Sequence, residues 1–493
     1  MKKNYRHTKV VFTLGPATAE EEVIKKLILE GADICRLNMA HSSHQWVQEK
    51  VTLIRKCCKE VKRQIAFMMD IKGPEIRSGV LEEPITLAPG DFFTFFMNKE
   101  GRENSDEQGV DVNYPCLVDD IKVGSTVLVD SGLIQMTAIE KSANALRCQV
   151  VTPGTMSSKR HINLPGTHVQ MDSLTQKDKD DLDVGIELGL DFYALSFVRD
   201  AESVDLLRSY LAQNGSRAKI ISKIEEQSGI QNIDDIIKTS DSIMIARGDL
   251  GIECPYDEIP IIQQNIINKC IQKGKSVIVA THMLESMITN PIPTRSEVSD
   301  VATAVVQHAD CIMLSGESSV GKYPLECVKV MNRISLRMEE SSSVQYTHNL
   351  KLKTPKEKML RSAVQLAADI GKTGILVFTR NGRLPKTLSQ LRPKGCPIYA
   401  FTNNETVFRR MLIMWGIEPF LLPFDDHDYQ DTIAKAFGVL LKAGWVKEVD
   451  LMVVVTNVLI EGKKIVDTVQ LRPASEGLML SREQAETLEE QNP

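Results

Sequence analysis

The sequence has no apolar segment long enough to cross a membrane. No run approaches the ~20 residues of a membrane-spanning helix, and the apolar part of the N-terminal stretch MKKNYRHTKVVFTLGP is too short for the core of a signal peptide. These absences predict a cytoplasmic protein with no membrane partner.

The ten cysteines contain no CxxC pair, and the charged residues show no basic excess. A zinc site built from CxxC pairs is therefore excluded, and a chain of 493 residues needs no disulfides, so we expect reduced thiols. With 59 basic and 65 acidic side chains the net charge is -6, which argues against nucleic acid as a partner. An anionic ligand must then be held by local charge.

Eight short, β-rich apolar runs recur along the first two thirds of the chain. Most are separated by segments of about 20 to 30 residues with helical spacing, and this alternation predicts a parallel sheet. Eight such units predict a closed (β/α)8 TIM barrel rather than an open sheet. The runs are KVVFTLG (9–15), ADICRLN (32–38), QIAFMMD (64–70), FYALSFV (192–198), AKIISKI (218–224), SIMIARG (242–248), SVIVATH (276–282) and CIMLSG (311–316).

One interval breaks this alternation, because roughly 120 residues separate Asp70 from Phe192. Segments such as GDFFTFF and GSTVLVDSGLIQMTAIE alternate or run β-branched, which predicts an inserted β-barrel cap domain. After the polar stretch EESSSVQYTHNLKLKTPKEK, paired helix and strand patterns predict a doubly wound α/β domain. The predicted domains are a first barrel part (1–78), an all-β cap (79–177), a second barrel part (178–348) and a C-terminal α/β domain (349–493).

Polar and charged residues stand at the predicted C-terminal ends of the barrel strands, where barrel ligands bind. Any one of these residues alone is best explained as part of a surface ion pair. Because six strands end in polar or charged residues, however, the pattern indicates a ligand-binding site. These residues are Arg36, Asn38, Asp70, Lys72, Lys223, Glu225, Asp249, Thr281, Ser315 and Glu317.

Two of these carboxylates suggest a metal site. Glu225 and Asp249 follow neighbouring strands, which lie about 4.8 Å apart, so both could bind one divalent cation. Oxygen ligands without a His/Cys cluster favour Mg²⁺ or Mn²⁺ over zinc. Ion pairs between Arg247 and Asp249 or between Lys223 and Glu225 are the alternative, and the sequence leaves both interpretations open.

The segment ARGDLGIECP places small residues beside Asp249. Gly248 allows a ligand to approach the backbone, and the amides there can point at an anion. Together with Lys223 and Arg36, this segment predicts an anion pocket.

The chain contains, in order, TKVVFTLGPAT, RLNMAHSSH, DIKGPEIRSG, VLVDSGLI, INLPG, LSFVRD, ISKIEEQSGI, IMIARGDLGIE, VATHMLESM, PTRSEVSDVATAV and IMLSGESSVGKYP. Over nearly its whole length it thereby resembles the pyruvate kinase family, with ISKIEE, ARGDLG and MLESM as the most specific motifs. The resemblance implies a barrel with an inserted cap and a C-terminal α/β domain, in agreement with the strand count. It also implies phosphoryl transfer from phosphoenolpyruvate to ADP in glycolysis, with pyruvate and ATP as products.

The resemblance implies a role for each candidate at the substrate. Lys223 would stabilise the transferring phosphoryl group, and Arg36 would contact it. The backbone at Gly248 and Asp249 would hold the substrate carboxylate together with Thr281, which would lie near the path by which the enolate is protonated.

The resemblance further implies metal and nucleotide sites. Magnesium (or manganese) would bind Glu225 and Asp249, and a second metal ion would arrive with ADP. The residues along the nucleotide would be Asn38, His41, Arg77 and either Lys159 or Arg160.

The chain departs from the family at the potassium site. The family motif RLNFSH supplies Asn and Ser side chains, which are joined by an Asp and by the next residue's carbonyl. Here the motif is RLNMAH. Asn38, Asp70 and the carbonyl of Ile71 remain, but Ala40 has no hydroxyl. Glu75 is the residue that accompanies potassium dependence in the family. We therefore predict a weakened K⁺ site in which water replaces the lost ligand.

Three other departures lie at the rim of the pocket, and we expect each to be neutral. His282 stands where the family usually has Gln, His161 where it has Gly, and Ser131 where it often has a second Asp.

The C-terminal domain departs from the family's sugar-bisphosphate loop. FTRNGRLP keeps Thr379 and Gly382 but has Leu384 at the last hydroxyl position, and TNVLIEGKK lacks the usual glycine after Thr456. A bisphosphate needs several donors, so activation by fructose 1,6-bisphosphate is not expected. The domain is then unregulated or senses another metabolite.

Two other functions compete with pyruvate kinase activity. A different magnesium-dependent barrel enzyme acting on phosphoenolpyruvate or a keto acid would differ by not requiring ADP. An inactive paralogue that binds metabolites is disfavoured because Lys223, Glu225, Asp249 and Thr281 are all present. The family's homotetramer is the default expectation for assembly.

Overall fold

The structure is a computed structural model of the 493-residue chain. It describes residues 5–479, except 104–106, 168, 342–346, 348–349, 372, 424–428 and 461–463.

The chain begins with three parallel strands and two helices. Ser43 caps the second helix, since its side chain accepts a hydrogen bond from the backbone N–H of Trp46. The elements are β1 (Lys9–Thr13), α1 (Glu21–Glu30), β2 (Ile34–Asn38), α2 (His44–Glu60) and β3 (Ala66–Asp70).

A sheet domain with its own apolar core is inserted after β3. Its elements are β4 (Ile85–Leu87), β5 (Phe92–Phe96), α3 (Lys99–Glu103), β6 (Gly109–Asp111), α4 (Leu117–Asp120), β7 (Thr126–Val129), β8 (Ile134–Lys141), β9 (Ala145–Thr152), β10 (Gly154–Met156) and β11 (Ile162–Asn163). Six strands form one sheet in the order β11-β7-β8-β9-β5-β6, while β10 pairs with β4. The prediction of an all-β segment missed the two short helices α3 and α4.

The remaining barrel elements follow the insertion. They are α5 (Gln176–Glu187), β12 (Phe192–Leu195), α6 (Ala201–Gln213), β13 (Lys219–Ile224), α7 (Gln227–Gln231), α8 (Ile233–Thr239), β14 (Ser242–Ala246), α9 (Arg247–Glu253), α10 (Ile259–Lys273), β15 (Ser276–Ala280), α11 (Arg295–Val306), β16 (Cys311–Leu314), α12 (Gly316–Ser319) and α13 (Pro324–Glu339).

The eight predicted strands close into one parallel barrel. Their spatial order is β1-β16-β15-β14-β13-β12-β3-β2, so the last strand pairs with the first, with Lys9 opposite Cys311. The insertion separates the neighbours β3 and β12, whose register places Asp70 opposite Ala194. This closure confirms the predicted TIM barrel.

The C-terminal domain is a five-stranded α/β sheet with apolar clusters on both faces. Its elements are α14 (Pro355–Ile370), β17 (Ile375–Phe378), α15 (Arg383–Gln390), β18 (Ile398–Thr402), α16 (Glu405–Met411), β19 (Ile417–Leu421), α17 (Tyr429–Lys442), β20 (Leu451–Ile460) and β21 (Lys464–Pro473). The strand order is β19-β18-β17-β20-β21, and only β21 is antiparallel to its neighbour. This arrangement confirms the predicted α/β domain.

The predicted domain boundaries remain predictions. Helix α5 begins at Gln176, so the boundary between 177 and 178 falls within its first turn. The boundary between 348 and 349 lies outside the described residues, as does part of TNVLIEGKK at 461–463. Within the part of the chain that the structure describes, no helix is long and apolar enough to cross a membrane.

Candidate active site

Asp70, the last residue of β3, joins two cationic side chains at the C-terminal end of the barrel. Its carboxylate accepts a hydrogen bond from Arg36 Nε at 2.6 Å and lies 3.2 Å from Lys223 Nζ. Burial alone would raise the pKa of Asp70, but Arg36 and Lys223 hold that pKa below its ordinary value. Asp70 therefore remains charged and holds the side chains of Arg36 and Lys223 at the C-terminal end of the barrel.

Lys223 is held from three sides. Besides Asp70, its Nζ lies 2.9 Å from Glu225 Oε1 and donates to Ser196 Oγ at 2.8 Å. Burial opposes the charged form of Lys223, but the two carboxylates raise its pKa above the ordinary lysine value. The site thus contains a buried, charged ammonium group. The Lys223–Glu225 ion pair, one alternative to a metal site, is formed.

Glu225 is a buried carboxylate beside Lys223. Its Oε2 accepts a hydrogen bond from the backbone N–H of Phe197 at 2.7 Å. Burial raises the pKa of Glu225; Lys223 opposes that shift, and the negative charge of Asp249 adds to it. A divalent cation would relieve the repulsion between the buried Glu225 and the partly exposed Asp249. The described residues contain no group of three or more His, Cys, Asp or Glu side chains arranged to hold a metal, so substrate and water would complete the coordination of a Mg²⁺ ion.

Gly248, which follows β14 in the first turn of α9, contacts Thr281, which directly follows β15. The Gly248 N–H donates to Thr281 Oγ1 at 2.7 Å, and that hydroxyl donates to the carbonyl of Ala280 at 2.6 Å. A Cβ at residue 248 would lie 3.3 Å from the His282 ring and 3.4 Å from Thr281 Oγ1, so glycine permits the close approach.

Thr281 adopts a left-handed backbone conformation with φ of +67°, which is uncommon for a β-branched residue. Arg247 supports this conformation, since it donates to the Thr281 carbonyl at 2.7 Å. The same guanidinium pairs with Asp300 at 2.6 Å rather than with Asp249. This geometry disfavours the alternative of an Arg247–Asp249 ion pair.

The candidate potassium ligands lie together at the ends of β2 and β3, where Asn38 is registered opposite Asp70. Asn38 Oδ1 accepts from the N–H of Ala40 at 3.2 Å, and the Ile71 carbonyl accepts from Ser196 Oγ at 2.7 Å. These oxygen donors suit a hard monovalent cation, whereas Ala40 contributes none.

Three nucleotide candidates, Arg77, Lys159 and Arg160, lie together where the barrel joins the inserted domain. Arg77 donates to Glu75 at 2.6 Å and to the Lys159 carbonyl at 2.9 Å. Arg160 instead pairs with Asp130 at 3.1 Å, and His41 lies in the exposed turn after β2. Burial would raise the pKa of Glu75, but Arg77, together with the neighbouring Lys72, lowers it below its ordinary value.

Two residues that depart from the family pattern, His161 and Ser131, lie in the inserted domain. His161 forms an isolated bridge with Arg77, its ring centroid is 6.0 Å from that of Phe197, and burial lowers its pKa. Ser131 has φ of +58° in the turn between β7 and β8. Glu317 is fully buried and accepts backbone N–H groups of Leu284 and Ser315, so its role is structural.

The sequence interpretation missed Ser196, which follows β12. Its hydroxyl contacts Lys223 and the Ile71 carbonyl and lies 3.4 Å from Asp70. One signal was available. The strand of Ser196, β12, lies between β3 and β13, both of which carry candidate site residues at their C-terminal ends, so a polar residue at the end of β12 was also a candidate.

A (β/α)8 barrel whose strand ends present a buried lysine and an arginine beside carboxylates has the architecture of a barrel enzyme with an anion-binding site. The family model described as "Pyruvate kinase, barrel domain" matches residues 5–328, and "Pyruvate kinase, alpha/beta domain" matches residues 357–471. The chain belongs to the pyruvate kinase family, and it is a phosphotransferase that moves the phosphoryl group of phosphoenolpyruvate to ADP.

Individual pyruvate kinases are similar to this chain over most of their length. The chain is 42% identical to plastidial pyruvate kinase 2 of Arabidopsis thaliana, over 92% of this chain and 78% of the relative. It is 37% identical to a pyruvate kinase of Geobacillus stearothermophilus, with the same two coverages. A solved pyruvate kinase structure from Cryptosporidium parvum has a TM-score of 0.89 at 32% identity, covering 95% of this chain and 96% of the other.

Proposed function

We propose that the cluster around Asp70 is the catalytic centre, in which Lys223 and Arg36 bind the phosphoryl group of phosphoenolpyruvate. The observation that carries this proposal is the buried Lys223 ammonium, which Asp70, Glu225 and Ser196 hold at the barrel mouth. During transfer, the bond between phosphorus and the enol oxygen breaks as an ADP oxygen bonds to phosphorus. A preorganised positive charge stabilises the anionic transition state at that point.

The carboxylate of the substrate would bind at the backbone of Gly248 and Asp249. The Thr281 hydroxyl lies beside this backbone, because it accepts the Gly248 N–H at 2.7 Å, and the substrate carboxylate would take over that donor when it binds. Once the phosphoryl group leaves, the enolate takes a proton at carbon to become pyruvate, and Thr281 would lie beside that path.

Glu225 and Asp249 would hold Mg²⁺ or Mn²⁺. When bound, the ion would neutralise charge on the phosphoryl oxygens. Asn38, Asp70 and the Ile71 carbonyl would hold K⁺, with water in place of the hydroxyl that Ala40 lacks. The nucleotide would lie beneath the cap along Asn38, His41, Arg77 and Lys159 or Arg160, and a second metal ion would accompany it.

We further propose a cytoplasmic homotetramer that fructose 1,6-bisphosphate does not activate. The ten cysteines, all within the described residues, are free thiols, which suits a reducing compartment. Leu384 replaces a hydroxyl at the effector loop, where the Thr379 hydroxyl already accepts from the Gly382 N–H at 2.9 Å. Plastidial names among the relatives make subcellular fractionation the test of location.

The experiment is an assay of pyruvate formation from phosphoenolpyruvate and ADP with magnesium. We expect Lys223→Met to lower kcat by about 10²- to 10³-fold, since one preorganised donor is worth roughly 3 to 4 kcal/mol. Lys219→Met is the matched control, because Lys219 starts the same strand and pairs with Asp241 at 3.0 Å.

Potassium is compared with tetramethylammonium in the same assay, and potassium should give the higher rate at a high half-saturating concentration. Equal activity of the two lysine variants would contradict the catalytic assignment. Equal rates in the two cations would contradict the potassium site.

A further inference from the structure

A small cavity of about 140 Å³ lies between the inserted sheet domain and the barrel. Its walls come from both domains, and the residues that matter here are His161, Asn163, Phe197, Arg199, Glu226 and Glu253. The barrel side of this wall contacts the proposed catalytic centre, because the backbone N–H of Phe197 donates a hydrogen bond to Glu225.

One hydrogen bond in this wall joins the two domains directly. Asn163 Nδ2 donates to Glu253 Oε1 at 2.9 Å. Asn163 is the last residue of β11 and is 6% exposed, and Glu253 is the last residue of α9 and is 7% exposed. Gln227 holds the same end of α9, because its side-chain amide donates to the backbone carbonyl of Glu253. The pair therefore ties the inserted domain to the helix whose first turn contains Gly248 and Asp249.

The hydrogen bonding of this pair is incomplete. Asn163 Oδ1 is buried and has no hydrogen-bond partner, although buried acceptors are normally satisfied. An ionised Glu253 has no donor to offer this oxygen, whereas a protonated carboxyl has one O–H donor. A neutral carboxyl group and a primary amide can thus exchange two hydrogen bonds, where the ionised form allows one.

The surroundings of Glu253 favour the neutral form. Burial raises the pKa of Glu253 to about 7; the hydrogen bond from Asn163 opposes this shift, and Glu226 adds to it. Glu226 is itself ion-paired with Arg199 at 2.9 Å, and the positive charge of Arg199 opposes the rise in the pKa of Glu253. Three other titratable groups are near: Asp249 on the same helix adds to the shift, Cys254 follows Glu253 directly in the chain, and His161 lines the cavity from the inserted domain.

We propose that Glu253 is a positioning residue which, when protonated, pairs with Asn163 through both side-chain atoms and fixes the inserted domain over the nucleotide site. Loss of the proton leaves a buried charge beside an unsatisfied acceptor and loosens the inserted domain. The affinity for ADP then falls as the pH rises, because the domain that covers the nucleotide is held less firmly. This inference rests on the proposed placement of the nucleotide beneath the cap.

The test compares the pH dependence of the KM for ADP in the parent and in Glu253→Gln. Glutamine keeps the acceptor for Asn163 Nδ2 and supplies a permanent donor for Oδ1, so the variant imitates the protonated state at every pH. We expect the ratio of the parent KM to the variant KM to be near one at pH 6. The ratio should rise to about tenfold at pH 8, as for a single group of pKa near 7. The effect should fall on the KM for ADP rather than on kcat.

Two further variants complete the experiment. Glu258→Gln removes an exposed carboxylate five residues away, and its KM should follow that of the parent at each pH. Asn163→Leu removes the partner, and its KM should be high and insensitive to Glu253 ionisation. If Glu253→Gln does not fold, the Asn163→Leu profile serves as the test, and a profile that parallels the parent overturns the proposal.

A measurement independent of turnover is the proton uptake on ADP binding, obtained by calorimetry in two buffers of different ionisation enthalpy at pH 7.5. The parent should take up more protons than Glu253→Gln. A KM ratio that does not change with pH, or equal proton uptake, overturns this inference in an active enzyme. An inactive parent would instead contradict the proposed function.

Discussion

At the scale of single residues, the hydroxyl of Ser196 connects groups from three barrel strands. It accepts a hydrogen bond from Lys223 Nζ and donates one to the Ile71 carbonyl. The orientation of the proposed catalytic lysine is therefore coupled to a carbonyl of the proposed potassium site. A serine-to-alanine change would break this coupling without altering the charge of the site.

We expect Ser196→Ala to lower kcat/KM for phosphoenolpyruvate by about 10- to 100-fold, because a hydrogen bond to a charged group contributes roughly 1.5 to 3 kcal/mol. Initial rates at saturating potassium measure this loss. Ser222→Ala is the control, since Ser222 is equally buried in β13 but bonds to Ser240 at 2.6 Å. Equal losses in both variants would indicate a general packing defect and contradict the role of Ser196.

The charged residues of the site carry a stronger sequence signal than Ser196, for a physical reason. Lys223 and Glu225 stand out because burying charge at the end of an apolar strand is unfavourable without a partner. A serine is neutral and common at strand ends, so its position carries no comparable signal. Its contacts depend on how β3, β12 and β13 are registered in the barrel, which local sequence does not encode.

At the scale of elements, helix α11 begins with a reciprocal cap. Thr294 Oγ1 accepts from the N–H of Glu297 at 3.2 Å, and the Glu297 carboxylate accepts from the N–H of Thr294 at 2.7 Å. The same carboxylate accepts the backbone N–H and the hydroxyl of Ser286, each at 2.6 Å. One side chain thus fixes both the helix start and the loop that follows β15.

We expect Glu297→Gln to lower the Tm of the barrel domain by about 2 to 4 °C at pH 7, the shift expected for about 1 kcal/mol in a domain of this size. Burial opposes ionisation, but the bonds from Ser286 and Thr294 lower the pKa of Glu297. A lowered folded-state pKa stabilises the fold above the unfolded-state pKa of about 4.3, and that stabilisation is lost as the pH falls through the folded-state pKa. The difference in Tm between parent and variant should therefore shrink below about pH 4.3.

Thermal scans of both proteins between pH 3 and 7 test this dependence. Glu285→Gln, which changes an exposed carboxylate in the same loop, should stay within about 0.5 kcal/mol of the parent at every pH. A constant offset for Glu297→Gln down to the lowest pH would show that its ionisation does not matter.

Most helices and strands could be predicted from apolar periodicity, but the runs recognised in the C-terminal domain did not include α16, β19 and β21. Strand β19 contains Pro419, and proline within a short apolar run argues against a strand. Here β19 is an edge strand, the position in which proline is tolerated. Helix α16 spans only seven residues, too few for its periodicity to be distinct.

At the scale of the whole molecule, the C-terminal domain closes the end of the barrel opposite the site. Leu412 and Ile413 pack in the same cluster as the inward-facing barrel residues. Arg392 pairs with Asp310 at 2.8 Å, with exposures of 4% and 2%, and Asp310 also accepts the N–H of Trp415 at 3.1 Å. Sequence periodicity does not specify how domains dock, so these contacts could not be predicted.

We expect Arg392→Leu to destabilise the protein by about 3 to 5 kcal/mol, because it leaves the buried Asp310 without its charged partner. Trp415 reports the change, since the guanidinium of Arg392 lies 5.2 Å from its ring centroid. Its fluorescence should shift at lower urea concentration than in the parent. Arg337→Leu, at an exposed pair with Glu340, should leave the transition in place, and a similar shift in both variants would refute the interpretation.

The order of the strands along the chain also constrains how the protein is made. About 120 residues lie between β3 and its neighbour β12, which corresponds to roughly 6 to 24 s of synthesis at about 5 to 20 residues per second. About 300 residues separate β1 from its partner β16, which corresponds to roughly 15 to 60 s of synthesis. The inserted domain has its own apolar core and can fold during this time, whereas the outer edges of β1 and β3 stay unpaired. The nascent chain should therefore depend on chaperones until the ribosome has delivered the last barrel strand.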